Sequence, residues 1–158
     1  MTVSLKVGDP APAFDMAASA GGRVALGDFK GKSLVLYFYP KDDTSGCTTE
    51  AKAFEDAAAD FAAAGAAILG VSKDSVASHD KFKAKYGLNF PLGSDSDGGV
   101  VEAYGVWVEK SLYGRKYMGI ERATFLIDGD GVIRSVWRKV KVAGHASIVL
   151  AAAKALKD

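Results

Sequence analysis

The run Leu34-Val-Leu-Tyr-Phe-Tyr39 carries no charge and ends at Pro40. An apolar, aromatic and β-branched run without polar alternation reads as a central strand buried on both faces. Pro40 has no N–H with which to continue the ladder, so the strand stops there. Lys41 to Gly46 is polar and holds turn residues, which predicts a short loop at the strand's C-terminal end. From Cys47 a helical period starts: Cys47, Ala51, Phe54, Ala58 and Phe61 fall on one face at steps of four and three. That helix is expected to run to about Ala64, with Gly65 closing it, before a second buried strand, Ala66 to Val71. Strand, helix and strand of these lengths form a βαβ unit with parallel strands and a right-handed crossover.

Cys47 is the only cysteine of the 158 residues, and this reading puts it in the first turn of a helix after a buried strand. Free N–H groups and the positive end of the helix dipole favour a thiolate there. Active sites of such sheets lie at the C-terminal ends of their strands. Thr44, three residues earlier, can bring a hydroxyl beside the sulfur, and Pro40 can wall it from water. A lone cysteine is otherwise most often a small buried hydrophobe. The polar loop and the helix start argue against that here.

The rest of the chain fills in an α/β order. Met1 to Met16 reads as a loop, followed by a turn at Gly21-Gly22 and a short strand, Arg23 to Leu26. Ser75 caps a helix from Val76 to Tyr86 that Gly87 stops. Asn89 to Leu92 is extended, and a short helix spans Val100 to Tyr104. Glu109 to Tyr117 is polar and is expected to be an exposed loop. Glu121 to Ile127 and Val132 to Trp137 form an antiparallel hairpin around Asp128-Gly-Asp-Gly131. A last helix opens at His145, with Ile148, Ala152, Ala155 and Leu156 as its apolar face. His79 and His145 read as surface residues near helix starts. Arg122 reads as a surface strand arginine.

Pro40-x-x-x-Thr44-x-x-Cys47 resembles the signature of the peroxiredoxins. Tyr37-Phe-Tyr-Pro-Lys-Asp-Asp-Thr-Ser-Gly-Cys-Thr-Thr-Glu50 most resembles their bacterioferritin-comigratory-protein (PrxQ) branch. Further matches lie at Gly8 to Met16, Asp28 to Lys32, Ser78 to Leu92 and Tyr104 to Trp107, so nearly the whole chain is covered. The resemblance implies one thioredoxin-like domain over residues 1–158: a central mixed β-sheet flanked by helices, with an N-terminal β-hairpin extension. It implies a thiol peroxidase in which Cys47 attacks hydrogen peroxide or an alkyl hydroperoxide and becomes a sulfenic acid. Gly119-Ile-Glu-Arg122-Ala-Thr-Phe125 matches the segment that supplies the family's active-site arginine. Arg122 would stabilise the thiolate and hold a peroxide oxygen. Thr44 and the N–H groups of Gly46 and Cys47 would position the peroxide. Glu50 has two readings: an acid favoured by the helix dipole, or a carboxylate that orients Arg122.

Members of this branch carry a resolving cysteine five residues after the first, or in the following helix. Lys52 and the region of Lys83 stand at those places, and Ser45 replaces a common proline. A one-cysteine enzyme needs an external thiol: thioredoxin, glutaredoxin or glutathione in the resemblance. A non-enzymatic redox sensor or binding module on the same fold is the alternative. A dithiol oxidoreductase is excluded because Cys-x-x-Cys is absent.

A formal net charge of +1 leaves no footprint for nucleic acid, and no apolar run is long enough to span a membrane. One cysteine excludes an internal disulfide and points to a reduced, cytoplasmic setting. No Cys/His cluster or Gly-rich phosphate loop calls for a metal or an organic cofactor. The branch leans monomeric.

Overall fold

The computed structural model describes residues 4–157; the first three residues of the N-terminal loop lie outside it. Strand β1 (Asp15–Ala18) turns through Gly22 into β2 (Arg23–Ala25), the N-terminal hairpin. Strand β3 (Ser33–Phe38) leads through the Pro40 loop into helix α1 (Ser45–Asp56). A break at Ala57 separates α1 from α2 (Ala58–Ala63), where the sequence predicted one helix. The bond from the Phe61 N–H to the Ala57 carbonyl still bridges the break, so it is a kink. An alanine-rich segment gives no sequence signal for such a bend.

Strand β4 (Ala66–Ser72) is followed by α3 (Val76–Tyr86), capped by the Ser75 hydroxyl and ended by left-handed Gly87. Strand β5 (Leu92–Ser94) and helix α4 (Gly99–Ala103) come next. The predicted Glu109–Tyr117 loop is a β-hairpin instead, β6 (Trp107–Leu112) and β7 (Arg115–Ile120). Tyr113 and Gly114 at its tip both have positive φ, the backbone that a two-residue hairpin turn demands. Strands β8 (Ala123–Ile127) and β9 (Ile133–Trp137) form the last hairpin, and α5 (His145–Lys157) is the last described element.

The seven-stranded sheet has the order β2-β1-β5-β4-β3-β8-β9. β3 runs parallel to β4 and antiparallel to β8, so it is paired along both edges. The side chains of β3 and of Tyr39 just after it divide between two cores: Leu34, Leu36 and Phe38 on one face, Val35, Tyr37 and Tyr39 on the other. Coverage on both faces explains why the run holds no charged residue. Tyr37 lies over Gly70, its direct partner on β4, where a Cβ would come within 2.8 Å of the ring.

His79 and His145 are both buried, against expectation. On α5 the buried residues are His145, Ala146, Val149 and Ala153, while Ile148 is 56% exposed. The architecture is the α/β, thioredoxin-like one expected, a mixed sheet between helices with the β1–β2 hairpin added at its edge.

Candidate active site

The Pro40 loop carries the chain from the end of β3 to the N-terminus of α1. Two acids fix it to α3. Asp42 accepts from Tyr39 Oη at 2.5 Å and from Ser78 Oγ at 2.8 Å, and its Oδ2 lies 2.7 Å from His79 Nδ1. The other ring nitrogen of His79 lies 2.9 Å from the Gly93 carbonyl. The Asp42 amide donates to Asp74 at 2.8 Å. Asp43, at a positive φ of 58°, accepts from Lys85 and Tyr86. Asp42, Asp74 and His79 bring ligand-type atoms within 4.8 Å of one another. Their hydrogen bonds are taken up among themselves and by Tyr39, Ser72, Ser78 and Gly93, so the cluster anchors the loop.

Cys47 is the third residue of α1 and is 1% exposed. The N–H groups of Gly46 and Cys47 belong to the first helical turn, where no intrahelical acceptor exists. Thr44 precedes the helix; its hydroxyl donates to the Lys41 carbonyl at 2.8 Å, and its side chain caps no helix N–H. Pro40 is half-buried beside the strand end.

Arg122, between β7 and β8, reaches this turn from the neighbouring strand. Its Nη2 donates to Cys47 Sγ at 3.4 Å, and its Nη1 donates to Glu50 Oε1 at 2.7 Å. The side chain is 17% exposed, against 2% for Glu50. A Cβ on Gly46 would lie 3.1 Å from Arg122 Nη2, so the missing side chain gives the guanidinium its place. Burial pushes the Glu50 carboxyl up to about 7, with the Arg122 pair opposing. Glu50 Oε2 has no hydrogen-bond partner, nor has the Tyr37 hydroxyl. Burial, then the charges of Glu50, Cys47 and Asp42, raise the Tyr37 phenol well above its usual range.

The structure therefore brings Pro40, Thr44, Gly46, Cys47, Glu50 and Arg122 to one end of the sheet. Lys52 is exposed on α1, and Lys83 on α3 donates to Ser19 Oγ at 3.3 Å. Sequence reasoning missed Tyr37, the Asp42–His79 anchor and Lys110. Lys110 Cδ lies 3.2 Å from where a Gly119 Cβ would stand. Burial and Arg122 lower the Lys110 ammonium from its usual value, with Cys47 and Glu121 opposing. His145 lies 2.8 Å from Thr124 Oγ1, and burial, then Arg122, lowers its imidazole. The sequence offered no periodic signal for Lys110 or His145. Asp42 stood in a motif that reads simply as a polar loop.

The AhpC/TSA family model matches residues 7–136. Peroxiredoxin Bcp of Xanthomonas campestris is 53% identical over 148 residues, covering 92% of each chain. Peroxiredoxin Bcp of Bacillus subtilis is 48% identical over 156 residues, covering 99% of this chain and 98% of its own. The X. campestris bacterioferritin comigratory protein has been solved as trapped-intermediate and ligand complexes of its alkyl peroxide reduction. It aligns with a TM-score of 0.88 at 50% identity, over 92% of each chain.

Proposed function

The chain belongs to the AhpC/TSA family as a peroxiredoxin of the Bcp/PrxQ branch, a thiol-dependent peroxidase, and from that premise we propose that Cys47 is its peroxidatic residue. The observation that carries this is the Arg122 guanidinium donating to the only sulfur among the cysteines, at the N-terminus of α1.

The Cys47 thiolate attacks the terminal oxygen of the peroxide. The S–O bond forms as the O–O bond breaks, and the leaving oxygen takes a proton to become water or an alcohol. Arg122 and the N–H groups of Gly46 and Cys47 meet the charge that develops on both oxygens. The Thr44 hydroxyl donates its hydrogen bond to the Lys41 backbone carbonyl and so keeps its lone pairs for the peroxide O–H. Glu50 orients Arg122, and Pro40 limits water. Hydrogen peroxide and alkyl hydroperoxides are the proposed substrates, the latter supported by the named activity of the X. campestris relative.

An external thiol completes the cycle, because the chain has no second cysteine. Thioredoxin, glutaredoxin and glutathione are the candidate reductants. We read residues 1–158 as one domain, since one sheet gathers strands from Asp15 to Trp137. The working state is a monomer in the cytoplasm, serving antioxidant defence and redox homeostasis. Among the described residues no helix is long and apolar enough to cross a membrane.

Intact-mass analysis after one equivalent of hydrogen peroxide tests the assignment. A one-oxygen gain that Cys47→Ser abolishes is the expected result. Oxidation elsewhere would overturn it, and oxidation of Cys47 that no thiol reverses catalytically would leave a redox sensor.

A further inference from the structure

Four of the six large hydrophobic side chains that are exposed among the described residues lie within seven positions of one hairpin: Leu112, Tyr113, Tyr117 and Met118. Tyr113, at the tip, is 98% exposed. β6 and β7 pair only with each other, so the hairpin stands off the main sheet. Single exposed apolar residues are ordinary on a protein surface; a cluster of this kind marks an interaction site.

The hairpin adjoins the sulfur. β7 ends at Ile120, two residues before Arg122, which donates to Cys47. The register puts Lys110 opposite Tyr117, Leu112 opposite Arg115 and Val108 opposite Gly119, all on one face. The Lys110 stem lies along Gly119, toward the Arg122 end. One continuous strip thus runs from the active site past Lys110 and Tyr117 to Leu112, Arg115 and the tip; Met118, opposite Glu109, lies on the other face and is not part of it.

Its charge is one-sided. Lys116 bridges Glu109 at 3.7 Å, and none of the ion pairs among the described residues involves Lys110 or Arg115. Stacking this hairpin on that of a second copy would set these cations against each other. A small thiol has no use for an apolar surface of this extent. An apolar, cationic strip leading to the active site suits a protein that carries its own cysteine there.

We propose that the β6–β7 hairpin is the docking surface for a protein dithiol reductant whose reactive cysteine is ringed by apolar residues and an acidic rim. The proposal rests on the peroxidase reading of Cys47. The reductant's first thiolate attacks the Cys47 sulfenic acid; an S–S bond forms, the S–O bond breaks, and the hydroxyl leaves as water with a proton. Its second thiolate then attacks its own first sulfur. That step closes the reductant's disulfide and releases Cys47 as a thiol, the dithiol having given up two electrons.

The test compares wild type with Leu112→Gln/Tyr113→Asn and with Arg115→Glu; asparagine accepts the positive φ of position 113. Three rates are measured: Cys47 oxidation by hydrogen peroxide, turnover with dithiothreitol, and turnover with thioredoxin, its reductase and NADPH. The expected result is a fall of about tenfold or more in kcat/KM for thioredoxin, with the other two rates unchanged. An unchanged thioredoxin kcat/KM overturns the proposal, as does an equal loss with dithiothreitol. A wild type that turns over with dithiothreitol and not with thioredoxin overturns it while leaving the peroxidase reading intact. So does sedimentation showing a wild-type dimer that these variants dissociate. Absence of Cys47 oxidation in the wild type removes both readings together.

Discussion

Arg122 Nη2 donates to the Cys47 sulfur at 3.4 Å, across 75 residues of sequence. The same guanidinium is held by Glu50, whose Oε1 accepts from Nη1 at 2.7 Å, so one carboxylate fixes the group that reaches the sulfur. Replacing Arg122 by alanine should slow Cys47 oxidation by about 10²–10³-fold, the usual cost of a preorganised donor in such a site. Lysine keeps the charge but not the planar fork, and should recover only part of the rate. Stopped-flow oxidation with hydrogen peroxide measures both.

Gly46→Ala separates geometry from stability. Its methyl would stand 3.1 Å from Arg122 Nη2, and the guanidinium, as the flexible partner, must give way. Alanine in a helix favours folding over glycine by up to about 1 kcal/mol. The variant should therefore oxidise several-fold more slowly while unfolding at an equal or higher urea concentration. Loss of stability together with an unchanged rate would contradict the placement.

Glu50 predicts a pH dependence of stability. Burial raises its carboxyl to about 7 from an ordinary value of 4.5. Between those pH values the folded chain holds a proton that the unfolded chain has released. The stabilisation is fully present below about 4.5 and is lost as pH rises through about 7, roughly 3 kcal/mol across the window. Urea unfolding from pH 4.5 to 8 should show this decline in wild type, and Glu50→Gln should flatten it.

The Asp42–His79 contact anchors the Pro40 loop from a buried position. His79→Ala leaves Asp42 short of a partner inside the protein and should cost about 1–3 kcal/mol in urea unfolding. It should also slow peroxide oxidation, because Thr44 and the start of α1 follow the same loop. An exposed pair such as Arg23–Asp15 provides the contrast: Arg23→Ala should change stability by less than about 1 kcal/mol.

The path from Leu34 to Glu50 was legible because three local signals agree there: an unbroken apolar run, a proline stop and a helical period. Arg122 was not legible from its own surroundings, where it reads as a strand arginine; only the family resemblance carried it to Cys47. The β6–β7 hairpin was missed because its strands are mostly exposed and mix apolar with charged residues, so no burial pattern marked them. Tyr113-Gly114 was the one available turn signal. Half of the expected α5 face holds: Ala152 and Leu156 pack against the core while Ile148 and Ala155 are exposed, because Ile148-Val149-Leu150-Ala151-Ala152-Ala153 is apolar all round and two rows fit the period equally. Burial of His79 and His145 depends on contacts from distant strands and loops, to Asp42, Gly93 and Thr124, which no local pattern announces.

A peroxidatic Cys47 has to be activated by the same fold that buries it. The most direct test is the second-order rate of Cys47 with hydrogen peroxide in the native chain and in the same chain unfolded in urea. A thiol that is merely buried reacts more slowly when folded. A peroxidatic Cys47 should show the reverse, a native rate at least about 10³-fold above the unfolded one. Equal rates, or a slower native rate, would contradict that role.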